Sequence, residues 1–79
     1  MKPKFTPKQG QFLPFIYHYS ALYHRAPSER ELQDYFRVSP PSIHDMILRL
    51  EDRGLIARTP GESRSIRLLI SPEELPKLL

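Results

Sequence analysis

A short helix, a tight turn and a second helix constrain the fold of this chain more than any other sequence feature. Ser28 and Glu31 have the spacing of a capping box, in which each side chain bonds the other residue's backbone N–H at a helix N-terminus. Leu32, Tyr35 and Phe36 follow at helical spacing and are predicted to form the buried side of that helix. Another helix start follows within three residues of Phe36, so the two helices must meet at a tight turn.

Two prolines mark the start of that second helix. Ser39 is the predicted N-cap, and Pro40 and Pro41 occupy the first two helical positions, where a helix needs no N–H donor. The Ser39 hydroxyl is therefore expected to accept a hydrogen bond from the N–H of Ser42. At about 100° per residue, the core face contains Ile43, Met46, Ile47 and Leu50. The opposite face contains Pro41, Asp45, Leu48 and Asp52, flanked by Ser42, His44 and Arg49.

Beyond Gly54 the apolar pattern changes from helical to alternating. Residues 55–58 and 65–70 are predicted to be two short strands, separated by the polar turn residues 59–64. A hairpin of this size must pack its apolar side on the helices, since it is too small to be stable alone. Residues 71–74 repeat the capping pattern and predict a short helical turn with a second capping box.

A further helix is predicted before this unit. Thr6 is a favoured N-cap type, and Pro7 suits the first helical position. Pro14 removes a backbone hydrogen bond inside the pattern, so we expect a kink there, or a helix that is regular only beyond it. The predicted core face of this helix comprises Phe12, Phe15, Ile16, Tyr19, Leu22 and Tyr23.

Three helices, a β-hairpin and a helical turn, in this order, predict an α+β fold of the winged helix-turn-helix type. At 79 residues the chain can bury one modest core. We expect a single domain over residues 1–79, with its core at about 5–70 and a tail at 71–79. In such folds the second helix of the motif enters the major groove of DNA. The expected recognition helix is 40–53, and the expected wing, 59–65, would meet the DNA backbone or minor groove.

Composition narrows the other possibilities. The net charge of +3 favours an anionic partner mildly. The absence of cysteine fits a reducing cytoplasm. If the protein is bacterial, we expect it to associate with the nucleoid. No apolar run approaches the roughly 18 residues of a membrane span, so no membrane partner is expected. His18, His24 and His44 lack metal-ligand spacing, and no nucleophile–base pair, phosphate loop or paired acids stand out. We therefore expect a protein that is not an enzyme and needs no cofactor.

The order and spacing of several segments are distinctive, namely Thr6–Gln9 with Phe15–Ile16, Ser39–Pro40, Gly54–Ile56 and Ser63–Leu69. Together they resemble the N-terminal DNA-binding domain of LexA-type repressors, across roughly residues 5–70. The resemblance implies sequence-specific binding to double-stranded DNA by a repressor-like transcriptional regulator. In the wider winged-helix regulators, the turn commonly has glycine at the place of Arg37. LexA-type repressors continue into a self-cleaving protease domain that makes most of the dimer contacts. This chain ends where that domain would begin, so we expect no self-cleavage here. A homodimer would form on DNA or through residues 71–79.

The resemblance also implies contact residues. In the family, the exposed early positions of the recognition helix contact bases, and they correspond here to Ser39, Pro41, Ser42, His44 and Asp45. Ser42 could bond any base edge, His44 could donate to guanine N7 or a phosphate, and Asp45 could accept from the cytosine amino group. Phosphate contacts are predicted for the cations Lys4, Lys8, Arg37, Arg49, Arg58, Arg64 and Arg67.

Other roles for these residues remain open. Asp45 could simply complement the positive end of the helix dipole, and Arg49 could pair with Asp45 on the helix surface. Arg64, expected at the hairpin tip, could be solvated in the free protein and still be the wing's candidate for the minor groove. Leu48 could contact a thymine methyl or a partner chain. Because Asp45 and Asp52 are acidic, the alternative function is a winged-helix protein–protein interaction module with no direct DNA role.

Overall fold

Three helices are followed by a two-stranded hairpin and one 3-10 turn. The computed structural model describes residues 7–78. The strands pair antiparallel, with Ile56 opposite Leu68 and Ala57 opposite Arg67. This order of elements confirms the predicted α+β fold of the winged helix-turn-helix type. The elements are α1 (Pro7–Tyr23), α2 (Glu29–Phe36), α3 (Pro40–Asp52), β1 (Ile56–Ala57), β2 (Arg67–Leu68) and η1 (Pro72–Glu74).

Helix α1 is continuous through its internal proline. It runs over 17 residues from Pro7, so the expected helix that is regular only beyond Pro14 is wrong. Pro14 is buried, and its apolar contacts offset part of the missing hydrogen bond. The predicted N-cap, Thr6, lies outside the described residues. Among residues 7–78, no helix combines the length and the apolar character needed to cross a membrane.

The buried face of α1 ends earlier than the sequence predicts. Phe12 and Ile16 are buried as expected, but Leu22 is 71% exposed and Tyr23 is 54% exposed, so their placement in the core is wrong. At 1.5 Å per residue α1 is about 25 Å long, roughly twice the length of α2, and its last turns extend past the core. Tyr35 of α2 was also predicted to be buried and is 48% exposed.

The core joins all three helices to the hairpin. The ring of Phe36 meets the ring of Phe12 edge-on, with 4.2 Å between their centroids. The predicted core face of α3 is confirmed, with Met46 partly buried and the other three members fully buried. Because this face is held in the core, the opposite face of α3 is left exposed. The buried apolar residues are Phe12, Leu13, Ile16, Leu32, Ile43, Ile47, Leu50, Leu55, Ile56 and Ile66.

The hairpin is shorter than predicted, with two residues in each paired strand. The segments predicted at 55–58 and 65–70 contain the strands, and one further bond, from Leu69 N–H to Leu55 O at 2.9 Å, extends the pairing. The predicted helical turn after residue 70 is present as η1. Its second capping box does not form, because the Ser71 side chain makes no cap bond and Glu74 N–H donates to the Ser71 carbonyl.

The turn between α2 and α3 depends on a left-handed arginine. Arg37 has φ 54° and ψ 50°, and its N–H donates to Gln33 O. Val38 N–H donates to the same carbonyl at 3.2 Å, which closes the end of α2. This conformation suits glycine and is unfavourable for a residue with a Cβ atom. The turn therefore holds local strain at Arg37.

We expect Arg37→Gly to raise the free energy of unfolding by about 0.5–1 kcal/mol. An L-residue in this conformation costs roughly 1–2 kcal/mol, and the greater chain entropy of unfolded glycine offsets part of the gain. Urea unfolding measures the change. Arg30→Gly is the control, since this exposed helical position has no left-handed backbone to relieve and should lose stability instead. An Arg37→Gly protein no more stable than the wild type would contradict a strained turn.

Candidate nucleic-acid interface

The N-terminal end of α3 is exposed and capped as predicted. The Ser39 hydroxyl accepts from the Ser42 N–H at 3.3 Å and donates to the Ser42 hydroxyl at 2.8 Å. Since Pro40 and Pro41 have no N–H, Ser42 is the first helical residue with a donor to satisfy, and the Ser39 hydroxyl accepts its hydrogen bond. The residues predicted to contact bases are all exposed, namely Ser39, Pro41, Ser42, His44 and Asp45.

Farther along the same helix, an ion pair lies on the exposed face. Arg49 Nε donates to Asp45 Oδ2 at 2.9 Å, four residues back along the helix. The Arg49 side chain is 65% exposed and the Asp45 side chain 62% exposed. The surface pairing that the sequence left open is therefore present. Leu48 lies between Asp45 and Arg49 in the sequence, and it is exposed, as predicted from its place on the face of α3 opposite the core.

His44 lies at the edge of α3 that faces the start of α2. Its Nδ1 is 3.8 Å from Oε1 of Glu29, which is beyond hydrogen-bonding distance, and both side chains are substantially exposed. The imidazole therefore keeps its hydrogen-bonding capacity for an external group.

The wing is anchored to the helices by Arg64. Its Nη1 donates to Glu31 Oε1 at 2.6 Å, to Ala26 O at 3.2 Å and to Tyr19 Oη at 3.3 Å. Tyr19 Oη in turn donates to Glu31 Oε2. Glu31 Oε1 also accepts from Ser28 N–H at 2.8 Å, so the predicted capping box is confirmed and shares its carboxylate with the wing. The expectation that Arg64 is solvated in the free protein is wrong.

These hydrogen bonds keep Glu31 and Arg64 ionised. Donation from Tyr19, the Ser28 N–H and Arg64 lowers the pKa of Glu31 from 4.5 to about 2, although burial opposes the shift. Bonding to Tyr19 and Glu31 raises the pKa of Arg64 above its ordinary value.

The sequence identified the capping box but missed Tyr19 and Arg64 as its partners. They lie 12 residues before and 33 residues after Glu31, and no local pattern connects them.

Hydrogen bonds within the wing loop keep it compact. The Ser65 hydroxyl oxygen accepts from Thr59 N–H at 3.0 Å and lies within donating distance of the carbonyls of Thr59 and Glu62. Gly61 supplies the turn with φ 79°, a conformation that favours glycine. The wing is thus closed at its base and anchored by Arg64.

The predicted phosphate contacts fall into two groups. Arg58 is the most buried of the paired cations, with its side chain 18% exposed and its Nε donating to Glu51 Oε1 at 2.8 Å. Arg49 and Arg64 also have carboxylate partners. Lys4 lies outside the described residues. The exposed cations without a carboxylate contact described above are Lys8, Arg37 and Arg67.

Comparison with known proteins gives consistent matches. Residues 1–65 match the family model described as LexA DNA binding domain. The chain is 36% identical over 72 residues to the LexA repressor of Thermosipho melanesiensis. The aligned region covers 91% of the chain and 36% of that repressor. It is 38% identical over 68 residues to the LexA repressor of Thermosipho africanus, covering 86% of the chain and 34% of that protein. The LexA repressor of Magnetococcus marinus is 32% identical over 72 residues, with coverages of 90% and 31%. The chain spans about a third of the length of these relatives.

Proposed function

Because the chain belongs to the LexA DNA-binding domain family, we propose that it binds double-stranded DNA sequence-specifically and represses transcription. The observation that carries this proposal is the family match over residues 1–65, which includes the whole helix-turn-helix and the wing at 59–65. The exposed outward face of α3 supports it, since a recognition helix must enter the major groove unobstructed. The domain acts by binding and has no catalytic role. No observation on residues 7–78 favours the alternative, a protein–protein interaction module.

The proposed base contacts come from the first turns of α3. Ser42 can donate to or accept from any base edge, whereas His44 can donate to guanine N7. Phosphate contacts are proposed for Lys8, Arg37 and Arg67, the exposed cations. The paired cations Arg58 and Arg64 contribute positive charge and hold the hairpin against the helices. Lys4 remains a proposed phosphate contact. The remaining proposed base contacts are Ser39 and Pro41.

We also propose that two copies bind neighbouring half-sites. A helix-turn-helix reads only a few base pairs by itself, and a dimer extends the recognised sequence. The contact between copies would form on DNA or through the tail at 71–79. The proposed location is the cytoplasm, and the nucleoid in a bacterial cell, because the ligand is found there.

Selection of binding sites from random duplex DNA tests the proposed function. We expect the full chain to enrich one consensus, made of two half-sites in inverted or direct repeat. Enrichment of no sequence at low salt would contradict sequence-specific binding. Recovery of a stable protein partner through the α3 face, with no DNA retained, would favour the interaction module instead.

Arg67→Ala is expected to weaken binding to all sequences alike. If Arg67 neutralises one phosphate, its loss removes one released counterion, and the slope of log affinity against log salt should fall by about 0.9 in magnitude. Titrations of a labelled duplex at salt concentrations from about 50 to about 200 mM measure the slope. Arg25→Ala is the control, because this exposed arginine after α1 has no proposed contact with DNA or with a second copy. An unchanged slope for Arg67→Ala would exclude the assigned phosphate contact.

A further inference from the structure

We propose that Arg49 recognises a guanine in the major groove and that Asp45 is the residue that positions it. The inference rests on the proposed DNA-binding function and deepens it by assigning a base. It replaces two predictions made from the sequence, in which Asp45 contacts a base by itself and Arg49 contacts a phosphate.

The geometry of the pair leaves Arg49 ready to make two parallel hydrogen bonds. Its Nε donates to Asp45 Oδ2 at 2.9 Å, and this bond restrains the plane of the guanidinium. Among the described residues, Arg49 makes no hydrogen bond or ion pair with a residue other than Asp45, and its bond to Asp45 uses Nε rather than the terminal nitrogens Nη1 and Nη2. Guanine presents O6 and N7 side by side in the major groove, and arginine commonly pairs with both. Arg49 therefore has the donors that guanine requires.

Charge and position explain why an acid can lie on this face. An unpaired carboxylate would be repelled by DNA phosphates, but the Arg49 guanidinium compensates the charge of Asp45. Asp45 is the sixth helical residue of α3, and the first turn contains no acid. Because the helix dipole acts mainly within the first turn, complementing that dipole does not explain Asp45.

The pair also has little structural purpose in the free protein. Both side chains are more than half exposed, and exposed ion pairs contribute little to folding stability. Replacing either residue should therefore leave the fold intact. A constraint on the Arg49 guanidinium lowers the entropy lost when it binds a base, which gives the pair a role in recognition.

The test compares the sites selected by the wild type, Arg49→Ala and Asp45→Ala from random duplexes. We expect both variants to lose preference for the same guanine in each half-site. Asp52→Ala is the matched control, an exposed acid on the same helix face, and should keep the wild-type consensus. Circular dichroism of each variant verifies that it is folded.

A single-atom change in the DNA separates a base contact from a structural effect. Replacing the shared guanine with 7-deazaguanine removes the N7 acceptor and should weaken wild-type binding roughly fivefold or more. The Arg49→Ala protein should bind both duplexes equally, and Asp45→Ala should show a reduced difference. A merely structural role for the pair would not make binding depend on N7.

Three results would overturn the inference. Arg49→Ala could weaken all sites alike, which is the behaviour of a phosphate contact. Asp45→Ala could change the preference at a different base from Arg49→Ala, which would mean that Asp45 contacts its own base. The wild type could also bind 7-deazaguanine as well as guanine. If the wild type selects no sequence at all, the proposed function itself fails. That outcome differs from a wild-type consensus in which the two variants affect no common guanine, where the inference alone fails.

Discussion

Phe12→Ala is expected to lower the free energy of unfolding by about 3–5 kcal/mol, because it removes a buried ring and leaves a cavity. Phe12 is 2% exposed, and its ring packs edge-on against Phe36. A domain of this length has a total stability of roughly 4–12 kcal/mol. The substitution should therefore remove a large part of the total stability, which chemical and thermal unfolding would measure.

Leu22→Ala provides the matched control for Phe12→Ala. Both residues are apolar members of α1, and the sequence pattern placed both on one core face. Leu22 is 71% exposed, so its truncation should change stability by no more than about 0.5 kcal/mol. Similar losses for the two variants would contradict the orientation of α1 described above.

Glu31→Gln is expected to lower the free energy of unfolding by about 1–3 kcal/mol at neutral pH. The carboxylate accepts from Tyr19, the Ser28 N–H and Arg64, and an amide can satisfy only part of this set. The substitution should also loosen the wing, because Arg64 loses its charged partner. Hydrogen exchange of the hairpin amides would show this loss of protection alongside thermal unfolding.

The effect of Glu31→Gln should depend on pH in a defined direction. Folding lowers the pKa of Glu31 from 4.5 to about 2, so its ionisation stabilises the fold above about pH 4.5. That contribution disappears as the pH falls to about 2, and the difference between wild type and variant should shrink over this window. Asp34→Asn is the control, since its ion pair with Arg30 is well exposed and should matter little. A difference independent of pH would contradict an ionised Glu31 at the centre of the network.

Local features of the sequence predicted the helix-turn-helix well. The capping box of Ser28 and Glu31, the Ser39 cap and the two faces of α3 all depend on residues within a few positions of one another. Helical periodicity and capping chemistry are local, so a single sequence is enough to identify them. These features also determine which residues α3 exposes.

Features that depend on distant residues were predicted poorly. Periodicity indicates that Leu22 and Tyr23 share a face with Ile16, but only the lengths of α1 and α2 reveal that the core ends before them. The anchoring of Arg64 depends on partners 33, 38 and 45 residues away. Such contacts follow from tertiary packing, and no pattern within the wing encodes them.

An anchored wing has a consequence for DNA binding. Arg64 joins the wing to Tyr19 and Glu31 before any ligand is present, so the hairpin and the helix-turn-helix form one unit. Binding then requires less ordering of the wing, which favours affinity. This role of Arg64 does not exclude the proposed phosphate or minor-groove contact, but it means that Arg64→Ala should affect stability as well as binding.

The central claim is that the outward face of α3 contacts DNA. Amide chemical shifts of the isotope-labelled chain, titrated with its selected duplex, test this most directly. We predict that the largest changes occur at Ser42, His44 and Asp45 and in the wing, with little change at Leu22 and Tyr23 at the far end of α1. Changes concentrated at the end of α1, or none with saturating duplex, would contradict the claim.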